Sequence, residues 1–212
     1  ATLDNDGTLL YATGYGHGDA MHLADHNPDR PGLELFMVHE GSPYGWDLHD
    51  AATGKILFKA TGSSDNGRGM AAQLSATDRG SYFSSSNDRS QRSAITGNVA
   101  SSGNTSMNFR IYWDGDLQEE LFDGGKIDNW NGNGTSRLYI NGKNPYDYNA
   151  SNTCNGSKST PNLQADLFGD WREEIILWST NDNATLNIFT TYLTTNFRVP
   201  TLMHDHTYRM GI

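Results

Sequence analysis

Short apolar or alternating runs, each bounded by a cluster of turn-forming residues, recur along the whole chain. Thr8-Leu9-Leu10-Tyr11 follows the turn Asp4-Asn5-Asp6-Gly7, and Leu33-Glu34-Leu35-Phe36-Met37-Val38 reads as a strand. Ala52-Thr53-Gly54-Lys55 turns into Ile56-Leu57-Phe58, and Arg137-Leu138-Tyr139-Ile140 follows Asn131-Gly132-Asn133-Gly134. Glu174 to Trp178 and Leu186 to Thr190 read as a hairpin around Asn181-Asp182-Asn183. No segment carries a convincing helical period. The pattern predicts an all-β protein with many turns.

Composition agrees. Gly, Asn and Asp together supply 62 of 212 residues, whereas Glu occurs 6 times. These three residue types favour turns and disfavour helix interiors. Disorder is the alternative for so polar a chain, but 5 Trp, 10 Tyr and 8 Phe argue for a packed core. The formal net charge of −10 excludes a basic nucleic-acid groove as the default partner surface. Apolar runs no longer than Ile175-Ile176-Leu177-Trp178 leave nothing to span a membrane. Cys154 is the single cysteine, so no internal disulfide forms. Ala1-Thr2-Leu3-Asp4 has neither the basic nor the apolar part of a signal peptide, so none was present or it lies outside this sequence.

A repeat organises the chain. Asp25-His26-Asn27-Pro28-Asp29, Tyr112-Trp113-Asp114-Gly115-Asp116 and Asp166-Leu167-Phe168-Gly169-Asp170 each run on to a glutamate and a strand, and a worn copy is Gln73-Leu74-Ser75-Ala76-Thr77. The copies begin near 25, 73, 112 and 166, an average spacing of about 47 residues, which fits β-propeller blades of four short strands. A β-sandwich is the competitor, but it does not predict a recurring acidic loop. About four blades are too few for most rings, so residues 1–212 are expected to be a partial propeller without a second domain.

The loops also read as calcium sites. Counted from its first residue, the third has acids at positions 1, 5 and 9, namely Asp166, Asp170 and Glu174, and the second has them at 3, 5 and 9, namely Asp114, Asp116 and Glu120. The first offers Asp25, Asn27 and Asp29 at 1, 3 and 5, with Glu34 one residue late. A tight loop turns alternate side chains onto one centre, and Ca²⁺ takes six to eight oxygen ligands. Simple turn formation by Asp, Asn and Gly is the competing explanation. Separately, Gly16-His17-Gly18-Asp19-Ala20-Met21-His22 with His39-Glu40 has a spacing that could hold zinc, or could be hydrogen-bonded core histidines. Trp46, Trp113, Trp130, Trp171 and Trp178 read as blade core rather than sugar platforms.

Several strings resemble rhamnogalacturonan lyases of polysaccharide lyase family 11, in family order and over nearly the whole chain. They are Gly16 to His22, Asp29-Arg30-Pro31-Gly32-Leu33-Glu34, Gly67-Arg68-Gly69-Met70-Ala71-Ala72, Ala165 to Glu174, and Pro200-Thr201-Leu202-Met203-His204-Asp205 with Tyr208 to Ile212. The resemblance implies a secreted, calcium-binding, eight-bladed propeller that cleaves the rhamnogalacturonan I backbone of pectin by β-elimination. Family members are several hundred residues longer, so the remainder of the propeller, or a second copy, is the expected partner. Asn155-Gly156-Ser157-Lys158 is similar to the family's Asn-Gly-Thr-Lys active-site loop, with a serine that keeps the hydroxyl. Arg68 falls on the family's cleft arginine, and His17, Asp19 and Glu40 fall near a cleft calcium ion, with His22 supporting the loop.

β-Elimination removes the C5 proton of a galacturonate, so a base must take the proton and a positive group must neutralise the carboxylate. Lys158 suits the base, because a lysine pKa falls readily near other cations. Arg68 is the poorer base and suits a bidentate clamp, because a guanidinium keeps its proton and presents a planar fork of donors. The reverse assignment is the alternative. A non-catalytic calcium-stabilised propeller that binds pectic carbohydrate, or a structural propeller without a sugar site, would need only the acidic loops. The presence of Arg68 together with the Asn155–Lys158 loop favours the enzyme.

Overall fold

The structure is a computed structural model that describes residues 1–103, 105, 108–138 and 151–212. The described residues are all-β apart from a 3₁₀ turn at Leu202–His204 and one short helix, α1, at His206–Met210. A two-stranded ribbon of β1 (Thr2–Leu3) and β2 (Leu9–Tyr11) comes first. Three antiparallel meanders of four strands follow. The first is β3 (Met21–Ala24), β4 (Glu34–His39), β5 (Gly45–Asp50) and β6 (Ile56–Thr61). The second is β7 (Gly69–Ala72), β8 (Tyr82–Ser85), β9 (Gln91–Ser93) and β10 (Val99–Ser101). The third is β11 (Phe109–Ile111), β12 (Glu120–Asp123), β13 (Lys126–Trp130) and β14 (Thr135–Leu138).

The fourth sheet departs from a meander. Its centre is β17 (Glu174–Ser179), which carries β18 (Leu186–Phe189) along one edge. The other edge is shared by β16 (Leu163–Ala165) and β15 (Ser151–Asn152). The hairpin expected around Asn181-Asp182-Asn183 is this β17–β18 pair, and Asp182 closes the turn by accepting from the Ala184 and Thr185 N–H groups. Of the strand expected over Arg137 to Ile140, residues 139 and 140 lie outside the described residues, and β14 carries Arg137 and Leu138.

The recurring loop has a constant place. Near residues 25, 73, 112 and 166 it joins β3 to β4, β7 to β8, β11 to β12 and β16 to β17. Each repeat therefore begins one strand before its loop. No closed sheet is formed by the described strands.

The chain divides into two compact units, residues 1–73 with 77–107, and residues 74–76 with 108–212. In the first, Phe36 and Val38 of β4, Trp46 and Leu48 of β5, Ala71, Phe83 and Ala94 form one buried cluster. Phe83 packs edge-on to Trp46 with ring centroids 4.9 Å apart. In the second, Ile111, Trp113, Phe122, Ile127, Ile175, Leu177 and Phe189 are buried together. Each large apolar side chain so buried contributes about 1.5–3 kcal/mol. Period-2 alternation places Ile175 and Leu177 inward while Ile176 and Trp178 stay half-buried. Trp46, Trp113, Trp130 and Trp171 are buried, as core tryptophans should be.

Candidate active site and metal centres

In every acidic loop the glutamate at the start of the following strand is buried and turned back onto the loop. Glu34 Oε2 accepts the Asn27 N–H at 2.9 Å, Glu120 Oε2 accepts the Trp113 N–H at 2.7 Å, and Glu174 Oε2 accepts the Leu167 N–H at 2.9 Å. In each the donor lies seven residues before the glutamate. This bond fixes the true register of the repeat and corrects the one read from residue types. Asn27, Trp113 and Leu167 are equivalent, so the first loop begins at His26 and Asp25 falls outside it. The residue equivalent to Asp116 and Asp170 is then Arg30, whose guanidinium stands 3.5 Å from Glu34 Oε1 and 3.2 Å from Asp50.

The three loops therefore differ in charge. Burial raises the Glu34 pKa, Asp25 adds to the rise, and Arg30 opposes it. Asn27 Oδ1 accepts the Asp29 N–H, and Asp29 pairs with Arg79 at 2.8 Å. In the third loop protein donors occupy the acids. Asp166 accepts from the Gly169, Trp171 and Leu202 N–H groups and the Thr201 hydroxyl. Asp170 pairs with Arg172, and Glu174 Oε1 accepts from Thr190. Glu174 is also held above the usual carboxylate range by burial and by Asp170. Asp166, Asp170 and Glu174 are not among the clustered acids of the described residues.

The second loop is the one whose acids converge. Asp114, Asp116 and Glu120 each bring a carboxylate oxygen within 4.8 Å of the others. Ligands on one ion with Ca–O bonds of about 2.4 Å lie at most about twice that distance apart, so all three fit a single Ca²⁺ shell. The donor set is all oxygen, which suits a hard cation. Burial, then Asp114, push the Glu120 carboxyl up to about 9, against the pull of the Trp113 and Asp114 N–H groups. Asp116 is raised as well, by burial and by Asp114. A bound cation reverses such shifts.

A second convergence joins His17, Asp19 and Glu40. His17 Nε2 lies 2.9 Å from Asp19 and 3.6 Å from Glu40. The loop reaches Glu40 because the Glu40 and Gly41 N–H groups both donate to the His17 carbonyl. Glycines permit that approach. A Cβ on Gly16 would stand 2.4 Å from the Gly41 carbonyl oxygen, and one on Gly18 would stand 2.1 Å from that of Val38. His22 sits on β3, with Nε2 3.2 Å from the Gly69 carbonyl.

Arg68 precedes β7 and is half-buried, and its guanidinium makes no ion pair among the described residues. Buried Asn66 anchors the segment, donating to the Gly45 carbonyl and accepting from the Ser86 hydroxyl and the Asn87 N–H. In the other unit, Asn155, Gly156, Ser157 and Lys158 form a tight loop. The Asn155 carboxamide oxygen accepts from the Ser157 N–H, the Ser157 hydroxyl and the Lys158 N–H at 2.9–3.0 Å. The serine hydroxyl therefore belongs to the loop's own bonding, and Gly156 has open space around it.

Two buried networks escaped the sequence reading. His39 Nε2 and His49 Nδ1 both meet the carboxylate of Asp47, and all three side chains are almost wholly buried. Burial would raise the Asp47 pKa, but the two histidine hydrogen bonds hold it below the usual range. In the second unit Glu173 accepts from Tyr208, the Tyr112 N–H and Gln164, and pairs with Arg110. Tyr208 thereby docks α1 and in turn accepts the Asp166 N–H. Asp47 and His49 lie two apart on β5, which was the available signal; Arg110, Glu173 and Tyr208 are too far apart in sequence to leave one.

Residues 1–212 match the family model for the rhamnogalacturonan lyase family 11, C-terminal domain. The rhamnogalacturonan endolyase YesW of Bacillus subtilis (strain 168) is 46% identical over 214 residues, covering 99% of this chain and 33% of its own. The rhamnogalacturonan exolyase YesX of the same organism is 42% identical over 232 residues, covering 99% of this chain and 36% of its own. The crystal structure of YesW superposes with a TM-score of 0.85 at 41% identity, covering 99% of this chain and 35% of that one. The chain thus spans about a third of the length of these relatives. With the family model matched from end to end, the chain belongs to rhamnogalacturonan lyase family 11 and corresponds to its C-terminal domain.

Proposed function

We propose that this chain is one part, incomplete on its own, of the catalytic propeller of a polysaccharide lyase that cleaves the rhamnogalacturonan I backbone by β-elimination at galacturonate. Its end-to-end match to a family whose relatives are named rhamnogalacturonan lyases carries the reading. The loop around Lys158 and the guanidinium of Arg68 give that reading its residues. Lys158 is read as the acceptor of the C5 proton, and Arg68 as a residue suited to a two-point clamp on a carboxylate. Loss of the proton leaves an enolate-like carboxylate dianion; its electron pair forms the C4–C5 double bond as the C4–O4 bond breaks, and the departing oxygen takes up a proton from solvent and leaves as the hydroxyl of the neighbouring sugar, giving an unsaturated uronate. Asn155, Gly156 and Ser157 shape the sugar-facing loop. Ca²⁺, when bound, supplies further positive charge near the carboxylate. His17, Asp19 and Glu40 would hold one ion, and Asp114, Asp116 and Glu120 a second of structural type.

The four sheets are read as blades of a larger propeller; three of them carry the acidic loop, between the first two strands in the first and third sheets and between β16 and β17 in the fourth. Exposed apolar residues on β3 (Met21 and Leu23) and on β18 (Leu186 and Ile188) support neighbours on both sides, either the remainder of the propeller or a second copy. A plant cell-wall substrate favours a secreted protein.

The test is digestion of rhamnogalacturonan I and of homogalacturonan, followed by absorbance at about 235 nm, where the double bond conjugated with the carboxylate absorbs and a hydrolysis product does not. A rise with rhamnogalacturonan alone is expected. Chain shortening without absorbance would replace the lyase with a hydrolase, and binding without cleavage would leave a carbohydrate-binding module.

A further inference from the structure

The base proposed above lies on a loop, and a base on a loop needs a scaffold to hold it still. The Lys158 backbone is gripped at both ends. Its N–H donates to the Asn155 carboxamide at 3.0 Å, from within the loop. Its carbonyl accepts from Nδ2 of Asn108 at 2.7 Å, across 50 residues of sequence. The same Asn108 nitrogen donates to Oδ1 of Asp123. With both amide hydrogens directed at oxygens, the amide has one sensible orientation, because the flipped form would set oxygen against oxygen twice.

The scaffold beneath is stiff. Asn108 immediately precedes β11, and Asp123 ends β12. Asp123 pairs with Lys126 across a two-residue turn, Gly124-Gly125, whose φ values of 55° and 78° are those of a type I′ hairpin. The hairpin tip abuts the loop, since a Cβ on Gly124 would lie 3.4 Å from the Ser159 hydroxyl. Ser159 itself sits at φ 54°, a left-handed conformation costing about 1–2 kcal/mol for a non-glycine residue. Strain of this kind persists only where the surroundings over-determine the backbone. The Asn155 carbonyl, which accepts the Ser159 N–H at 2.7 Å, and the Asn108 bond supply that constraint.

We propose that Asn108 and Asp123 are positioning residues for Lys158, holding its loop on the β12–β13 hairpin so that the side chain leaves from a fixed point. The inference rests on the reading of Lys158 as the proton acceptor. Displacement of a catalytic group by about 1 Å can cost about a hundredfold in rate.

The experiment compares the active, full-length enzyme with Asn108→Ala, Asp123→Asn, Lys158→Ala and the double variant Asn108→Ala/Lys158→Ala, reading kcat, KM and melting temperature. Asn108→Ala is expected to lower kcat about 10- to 100-fold with KM within about twofold. In the Lys158→Ala background the same substitution is expected to change kcat less than about twofold, because residues acting as one unit are not additive. Asp123→Asn, which keeps the side-chain shape and weakens the acceptor, should act in the same direction by several-fold, and it carries the test if Asn108→Ala does not fold. An equal fall in both backgrounds would reduce Asn108 to a structural role and overturn the proposal, as would wild-type kcat in Asn108→Ala or, where that variant does not fold, in Asp123→Asn. Wild-type kcat in Lys158→Ala would instead overturn the reading of Lys158, and the positioning role with it.

Discussion

Replacing Glu120 with glutamine tests the second loop as a calcium site. Glu120 is 1% exposed, and burial together with Asp114 pushes its carboxyl up to about 9. In a cation-free protein at pH 7 the carboxyl is therefore held protonated, and relative to its ordinary value of 4.5 this costs about 3 kcal/mol of folding stability. The sign follows from an acid whose folded pKa lies above the unfolded one. Its contribution is intact below about pH 4.5 and is lost as pH rises toward about 9. Glutamine keeps a carbonyl for the Trp113 and Asp114 N–H groups and removes the charge facing Asp114 and Asp116. In EGTA at pH 8, where the same cost rises to about 5 kcal/mol, Glu120→Gln should melt about 10–20 °C higher than wild type, taking 2–4 °C per kcal/mol for a chain of this size. The gap should close at pH 5. Calcium should raise the wild-type melting temperature, by about 2.7 kcal/mol of stability at a hundredfold excess over Kd, and raise the variant's much less. Circular dichroism melts at the two pH values, with EGTA or calcium, decide it. A variant that melts lower than wild type in EGTA at pH 8 and keeps the full calcium shift would refute the reasoning.

At the other metal cluster, Gly18→Ala forces a Cβ against the Val38 carbonyl, so the His17 loop must lift from β4. Calorimetric calcium affinity at that site should fall at least tenfold, whereas Gly134→Ala, with open space around it, should be neutral. Asp47→Asn breaks the buried His39–Asp47–His49 network and should cost about 2–4 kcal/mol in urea unfolding at pH 7. Because the Asp47 pKa is lowered, its contribution is present above the ordinary value of 3.8 and lost as pH falls through the folded one. The variant and wild type should therefore converge in acid.

What could be read from the sequence follows from where each signal resides. The β17–β18 hairpin was legible because Asn181-Asp182-Asn183 is a turn by composition and Ile175, Leu177, Leu186 and Ile188 alternate around it. The repeat was legible as loop chemistry, yet its phase in the first copy was not. Asp25, Asn27 and Asp29 imitate the ligand spacing, while the fixed point is the bond from Glu34 back to the Asn27 N–H. Strand β5 was missed because Asp47 and His49 are polar but buried, so Gly45–Asp50 shows no apolar run. Lys158 and Arg68 were proposed from family strings, and the residues that hold their segments left no such string. Asn108 and Asn66 act through single amide bonds to residues far along the chain, and spacing carries no trace of such pairs.

The central claim is that Lys158 removes the galacturonate C5 proton. Its most direct test is the rate of unsaturated product formation from rhamnogalacturonan I, measured by absorbance at about 235 nm for wild type and Lys158→Ala under saturating substrate. The account predicts a fall in kcat of about 10²–10⁴-fold with KM little changed, as for removal of a general base. An unchanged kcat, or a rise in KM alone, would make Lys158 a binding residue and contradict it.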